Sequence, residues 1–245
     1  MQRALFLFEK DPFAVRALAG VLAYGTGQAF AGVWLDDAER LLIGRTENAV
    51  TVCGECRDKA ELRAFLDMIG GSVLLAPAGM LSEMDLPGWA LHRTGAVLRR
   101  TDMAEMQPSV ADGMPRYVAQ ILADSPSEWI EVGDRDALYV DLSHRLRHGR
   151  IHARMIRRDG IPAACAVTMG ETAQAAVIGG VACRPAYRGN GLGSAVLQDL
   201  CAALQREHKA IYLFTGAALV PYYRREGFTV TGRWQEFRRK AEVTE

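Results

Sequence analysis

The segment Arg188-Gly189-Asn190-Gly191-Leu192-Gly193-Ser194 puts three glycines at a point where an apolar run gives way to a helical pattern. Val177 to Cys183 is small and apolar throughout, the composition of a strand covered on both faces. After the loop, Leu192, Val196, Leu200 and Leu204 recur at the spacing of one buried helix face. A strand therefore runs into a glycine-rich loop that becomes a helix N-terminus. Free backbone N–H groups and the helix dipole attract phosphate there, and glycines let the backbone close on a ligand with no Cβ in the way. The chemistry expected is binding of a phosphorylated ligand.

Three ligand classes use such a loop. A nucleoside triphosphate loop ends in Gly-Lys-Ser/Thr, whereas Gly193-Ser194 has no lysine between. A dinucleotide fold needs Gly-x-Gly-x-x-Gly within a parallel βαβ unit. This loop lacks that spacing, and its strand follows a predicted antiparallel meander. Neither of these two fits this loop, and a third class is left.

Other residues could carry chemistry and are read more plainly. Cys53-Gly54-Glu55-Cys56 has the spacing of half a zinc site or a redox dithiol, but no second pair follows. Two ordinary thiols at a strand end are expected. His144 and His148 are spaced as metal ligands on a helix, yet Arg145, Arg147 and Arg150 are interleaved, so no metal is expected. His152 and Arg154 share one face of the next strand, solvated or lining an acceptor groove. The tail Arg238-Arg239-Lys240 reads as a solvated end.

The elements that must position the loop follow from the pattern. Ala4 to Phe8 reads as a strand. Asp11-Pro12 opens a helix to about Tyr24, with Asp as N-cap and Pro at the first position. Ala29–Leu35, Leu41–Gly44 and Asn48–Cys53 are strand-like. Asp58 to Ile69 is helical, ended by Gly70-Gly71. Ser72 to Ala76 is a buried strand, followed by a loop rich in Met, Pro and Gly. Beyond a soft stretch at Thr101 to Pro108 come helices at Val110–Asp124 and Asp134–His148. Strands at Arg150–Arg157, Pro162–Met169 and Ala173–Arg184 follow, then the helix from Gly191, a strand Ala210–Thr215, a short helix Ala217–Arg225 and a strand Phe228–Phe237. This order is an α/β (α+β) fold. It divides into an N-terminal α/β domain, residues 1–100, and a second domain, residues 101–245.

Composition agrees with a globular protein. Of the 245 residues 49% are hydrophobic and 24% charged, and the formal net charge is zero, so neither nucleic acid nor an anionic membrane is an expected partner. No stretch has the apolar length of a membrane span. The N-terminus reaches Glu9-Lys10-Asp11 too early for a secretory signal. Five scattered cysteines make no disulfide framework; a cytoplasmic protein with reduced thiols is expected.

The run Val181-Ala182-Cys183-Arg184-Pro185-Ala186-Tyr187-Arg188-Gly189-Asn190-Gly191-Leu192-Gly193 closely resembles the signature segment of the GCN5-related N-acetyltransferase (GNAT) superfamily, Arg/Gln-x-x-Gly-x-Gly/Ala, through Arg188, Gly191 and Gly193. Tyr222-Tyr223-Arg224-Arg225-Glu226-Gly227-Phe228 resembles its second landmark, an aromatic pair, polar residues, then Gly-Phe. The resemblance covers about Leu98 to Phe237. It implies a mixed, mostly antiparallel sheet flanked by helices, with a bulge in the strand before the loop that splays it from the next strand. It implies acetyl-CoA as cofactor, its pantetheine arm along Val181, Ala182 and Cys183 and its pyrophosphate on the amides of Arg188, Gly189, Asn190, Gly191, Leu192, Gly193 and Ser194. Tyr223 stands where the family places the tyrosine that protonates the departing thiolate. The implied activity is N-acyl transfer to an amine of a small molecule or peptide, by direct transfer through a ternary complex. A non-catalytic acyl-CoA sensor and a protein N-terminal or lysine acetyltransferase are the alternatives.

The sequence departs from the family pattern in two places, and both put the general base in doubt. The strand stretch Ala176 to Val181 holds no glutamate, and Gly216 stands near the family's frequent asparagine. Glu171, the nearest carboxylate in sequence, is expected in a solvated hairpin at the strand's far end. Gly179-Gly180 leaves either room for a bulky acceptor or a close backbone approach. The N-terminal region is open between a degenerate GNAT-like copy and an unrelated domain that covers the site or joins a homodimer.

Overall fold

A computed structural model describes residues 2–125 and 134–240. In chain order the elements are α1 (Gln2–Phe8), α2 (Pro12–Tyr24), β1 (Ala31–Leu35), β2 (Leu41–Thr46), β3 (Ala49–Gly54), α3 (Lys59–Ile69), β4 (Val73–Pro77) and β5 (Trp89–Arg100). There follow β6 (Val110–Asp112), α4 (Pro115–Ala123), α5 (Arg135–Arg147), β7 (Ala153–Arg158), β8 (Ile161–Glu171) and β9 (Ala175–Cys183). The chain continues through α6 (Leu192–Arg206), β10 (Ala210–Thr215), α7 (Val220–Arg225) and β11 (Phe228–Arg239). They form two compact units, Met1–Val97 with Val230–Glu245, and Leu98–Thr229. The first unit thus takes the end of β11, which the sequence groups with residues 101–245, because β11 pairs with β4 from Trp234↔Pro77 to Arg238↔Val73.

The first unit orders its strands β1-β2-β3-β4-β11-β5. β1, β2 and β3 form an antiparallel meander, and α3 then crosses over so that β4 lies parallel to β3. Asp11 caps α2, its carboxylate accepting from the Phe13 and Ala14 amides at 2.8 and 3.1 Å. Leu62 and Leu66 of α3 pack with Ile43, Val50, Leu74 and Phe237 in a buried core.

The second unit repeats this order of elements. Helices α4 and α5 precede the antiparallel meander of β7, β8 and β9, and α6 crosses over so that β10 lies parallel to β9. Its strands run β10-β9-β8-β7-β6. Val118, Ile121 and Leu122 of α4 pack with Met155, Cys165, Val167 and Ala182 on one side, and α6 lies on the same strands with Val196, Leu197, Leu200 and Leu204 buried. In both units a mostly antiparallel sheet is flanked by helices. Among the described residues no helix is long and apolar enough to cross a membrane.

Four readings of the sequence are corrected. Ala4 to Phe8 lies in helix α1, which buries Ala4 and leaves Phe6 81% exposed; an unbroken apolar run suits either element by pattern alone. Val110 to Asp112 is a strand paired with Ile156 to Arg154, and the helix opens only at Pro115, whose fixed φ suits a first helical position. β5 was hidden by Leu91-His92-Arg93-Thr94, polar or exposed residues interrupting its apolar pattern. Arg239 is no solvated end: it extends β11, reaches Asp67 at 2.8 Å and covers the Trp89 ring.

Glu171 is also not solvated. It ends β8, opposite Ala176 at the end of β9 remote from the loop, as expected, but its side chain is only 5% exposed. It accepts from Thr168 Oγ1 at 2.6 Å, from Lys209 Nζ at 2.6 Å and from the His152 amide at 2.8 Å, and pairs with the His152 ring at 3.0 Å. Lys209 and His152 also meet Glu207, at 2.7 and 3.0 Å. Burial alone would raise the Glu171 carboxyl; His152, Lys209 and Thr168 outweigh it and bring it down to about 2. The hydrogen bond to Glu171 raises His152 against the opposing effect of burial.

Because Glu171 is lower in the folded than the unfolded chain, its contribution is present above the unfolded value near 4.3 and is lost as pH falls toward 2, on the order of 3 kcal/mol. Because His152 is raised, its contribution is present below about 6.5 and is lost as pH rises through the folded value. Chemical denaturation against pH is expected to show both losses in the wild type, and Glu171→Gln is expected to flatten the profile and lower its maximum.

Candidate functional site

β8 and β9 step out of register at one place. Val167 pairs with Gly180, Thr168 with Ile178 and Gly170 with Val177, so Gly179 and Met169 each lie outside the ladder. A Cβ on Gly179 would stand 2.6 Å from Met169 Cβ, and one on Gly180 would stand 3.0 Å from Val167 Cγ1. The glycine pair therefore serves a close approach of strands, not an empty space for an acceptor.

Pairing of β9 with β10 ends at the same place. It runs from Ala175↔Ala210 to Ile178↔Leu213, yet β9 continues to Cys183. The Arg184 amide donates to the Ala163 carbonyl of β8 at 3.0 Å. By the alternation of an antiparallel ladder, Ala182 turns its backbone groups the same way, and Val181 and Cys183 turn theirs toward the opened side. An extended arm with amide groups could add to this edge as a strand does.

The loop beyond is held by its own hydrogen bonds. Pro185–Tyr187 makes one 3-10 turn. Asn190 Nδ2 donates to the carbonyls of Tyr187 and Arg188 at 3.1 and 3.2 Å, and Arg188 Nε donates to the Cys183 carbonyl at 3.1 Å. Gly189 and Gly191 have φ of 80° and 72°, the left-handed region that disfavours a Cβ. Gly191 is the N-cap of α6, and no side chain caps that helix. The first amides of α6, at Leu192, Gly193 and Ser194, have no intrahelical carbonyl to bond. Such a helix end can accept an anion.

The N-terminus of α3 in the first unit shows the contrast. Asp58 caps it, and its carboxylate accepts from the Ala60 and Glu61 amides at 2.9 Å each. The anion is already built into the chain there.

The tyrosines lie on α7. Tyr222 points to the first turn of α6, its hydroxyl 3.4 Å from Ser194 Oγ. Tyr223 packs edge-on against Tyr222 and Phe228, with centroids at 5.0 and 6.0 Å. Burial pushes both phenols up, Tyr223 much further, so each keeps its proton at neutral pH.

A polar brace holds this short helix and has no signal in the sequence beyond Glu226 lying within the second landmark. Ser194 Oγ donates to Glu226 Oε1 at 2.6 Å, and Gln198 Nε2 donates to Glu226 Oε2 at 3.1 Å. Arg100, itself buried, donates to Gln198 Oε1 at 2.9 Å and to the Glu226 carbonyl. The Ser194 hydroxyl proton is thus committed to Glu226, leaving its amide to face a ligand.

The remaining sequence candidates lie outside this arrangement. Burial raises the thiols of Cys53 and Cys56, so neither is poised as a redox thiolate. His148 turns Nδ1 to the carbonyl of His144 at 2.8 Å. Arg154 is paired with Asp112 and with the buried Asp199, and His152 with Glu171 and Glu207. Among the described residues, His152, Glu171 and Glu207 come close enough to hold a metal ion, but the Lys209 ammonium already supplies a cation to both carboxylates.

Residues 116–228 match the family model described as acetyltransferase (GNAT) family. The second unit therefore carries a GNAT-family domain, which the loop and the parted strand had indicated. Solved structures share the fold. A GCN5-related N-acetyltransferase from Kribbella flavida is 13% identical with a TM-score of 0.64 and covers 97% of each chain. A GNAT-family protein from Novosphingobium aromaticivorans is 16% identical with a TM-score of 0.59, over 81% of this chain and 89% of its own. A tandem GNAT protein from clavulanic acid biosynthesis is 12% identical with a TM-score of 0.53, over 97% of this chain and 96% of its own. No curated protein matches the sequence.

Gly179→Ala is expected to force β8 and β9 apart at the bulge and to destabilise the protein by about 1–3 kcal/mol. A urea midpoint equal to that of the wild type would show that the strands do not depend on this contact.

Proposed function

We propose that the chain is an acetyl-CoA-dependent N-acyltransferase that transfers an acyl group directly to an amine of a small molecule or peptide. One observation carries this reading: the strand edge opened at Gly179 leads straight into an uncapped helix N-terminus. An edge for an amide-bearing arm followed by a seat for a pyrophosphate matches the shape of coenzyme A. The cofactor would supply an activated thioester.

The residues then have distinct tasks. Val181 and Cys183 offer backbone groups to the arm. The amides from Gly189 to Ser194 receive the pyrophosphate; that of Arg188, expected among them, is given instead to the Pro185 carbonyl at 3.3 Å. Tyr223 keeps a proton through neutral pH and is the donor to the departing thiolate. We assign no protein base, because Ala176 to Val181 carries no proton acceptor and Glu171 is held in its ion pairs at the far end; the amine's proton leaves through solvent.

The first unit is, on this reading, a second copy of the same fold that has lost its cofactor seat. The repeated order of elements and the carboxylate of Asp58 on the α3 amides support it.

Calorimetric titration with acetyl-CoA is expected to show binding to the wild type and none to Gly191→Asp. A Cβ at Gly191 meets no atom within 4 Å, and Asp is among the residues that adopt a left-handed backbone, so the variant should remain folded. Absence of binding by the wild type would end the proposal. Tyr223→Phe is expected to lower kcat, read as thiol release with a panel of amines, by about 10²-fold or more, while the calorimetric affinity for acetyl-CoA stays close to that of the wild type. An unchanged kcat would remove Tyr223 from the chemistry.

A further inference from the structure

We propose that the groove between α4 and α5 binds a small organic anion, a flat apolar body carrying a carboxylate or phosphate. Two cavities of about 390 and 380 Å³ lie along these helices, and both are lined by Arg116 and Tyr139. Each is within the size range of small-ligand pockets.

Among the described lining residues three arginines, Arg116, Arg135 and Arg147, stand with one aspartate, Asp136. Arg135, on the first cavity, is neutralised by Asp124 at 3.1 Å. Arg116 and Arg147, the latter on the second cavity, form no ion pair among the described residues. Guanidinium groups with free forks recognise carboxylate and phosphate oxygens bidentately. Tyr139 lies on both cavities with 38% of its surface exposed, which offers a ring face to a flat body. Ala119 and Leu146 add apolar lining. Asp136 on the first cavity repels a second carboxylate there, so the anionic group is directed to Arg116 and Arg147.

Packing of the unit does not account for these side chains. The inward face of α4 is Val118, Ile121 and Leu122, and that of α5 includes Leu142. Arg116, Tyr139 and Arg147 lie on the outward side and are exposed. The groove is also separate in sequence from the glycine loop, so the proposal stands or falls without the cofactor reading.

The test is calorimetric titration of the full chain with phenyl phosphate, benzoate, inorganic phosphate and benzylamine. Phenyl phosphate and benzoate are expected to bind saturably and benzylamine not to bind. Arg116→Gln/Arg147→Gln is expected to weaken both aryl anions about tenfold or more, with the circular dichroism of the wild type. Tyr139→Ala should weaken the aryl anions and leave inorganic phosphate unaffected. Gly191→Asp should bind the aryl anions as the wild type does. The proposal is overturned if no anion binds at millimolar concentration, or if the double arginine variant keeps its affinity. Loss of binding in Gly191→Asp would overturn it equally, by placing the anions on the glycine loop.

Discussion

Gly179 and Met169 face each other where β8 and β9 both leave their ladder, and there is no room between them for a side chain. The geometry of the second unit depends on this contact. The bulge changes the course of β9, as an extra residue in one strand bends and twists it. Pairing with β10 ends at Ile178, and Val181 and Cys183 are left with an open edge. A side chain at Gly179 would force β8 and β9 apart at this point. The glutamate that many relatives of the fold would carry in this strand is absent, and two glycines hold the bulge instead.

The opened strand would be of little use without the loop that ends it. A helix N-terminus is electrostatically incomplete, and proteins usually complete it with a side-chain oxygen. The two units treat the same element differently. Asp58 completes α3 from within. Gly191, in a left-handed conformation and with no oxygen to offer, leaves α6 open. The two caps thus differ in both side chain and backbone, Asp58 being extended and Gly191 left-handed.

Helix α7 raises a different problem. At six residues it is too short to be stable alone, since helix nucleation is costly. Its place comes from contacts at its ends and sides: Glu226 to Ser194 and Gln198, Arg100 to Glu226 and Gln198, and Tyr223 against Phe228. The same brace settles the direction of the Ser194 hydroxyl. The tyrosines and the α6 N-terminus are consequently held as one body.

Much of this was legible in the residues. The glycine spacing after an apolar strand, and the period of Leu192, Val196, Leu200 and Leu204, specify a strand, a loop and a helix N-terminus by local geometry alone. Asp11-Pro12 announces its helix because a cap acts on amides two and three residues away, and the helix from Asp58 to Ile69 shows in its apolar spacing. What failed was the reading of Ala4 to Phe8, Val110 to Asp112 and Trp89 to Arg100, where the pattern fits more than one element and packing by distant strands decides. The burial of Glu171 and the brace under α6 join residues far apart in sequence, from Lys209 to His152 and from Arg100 to Glu226. Pairing between such residues leaves no local period to read, so only the tertiary structure could bring them together. The sequence by itself determined where a phosphate could sit. The tertiary structure decided that an open strand edge leads into that loop, because the register shift against β8 and the end of pairing with β10 are set by neighbouring strands and not by the residues of β9 alone.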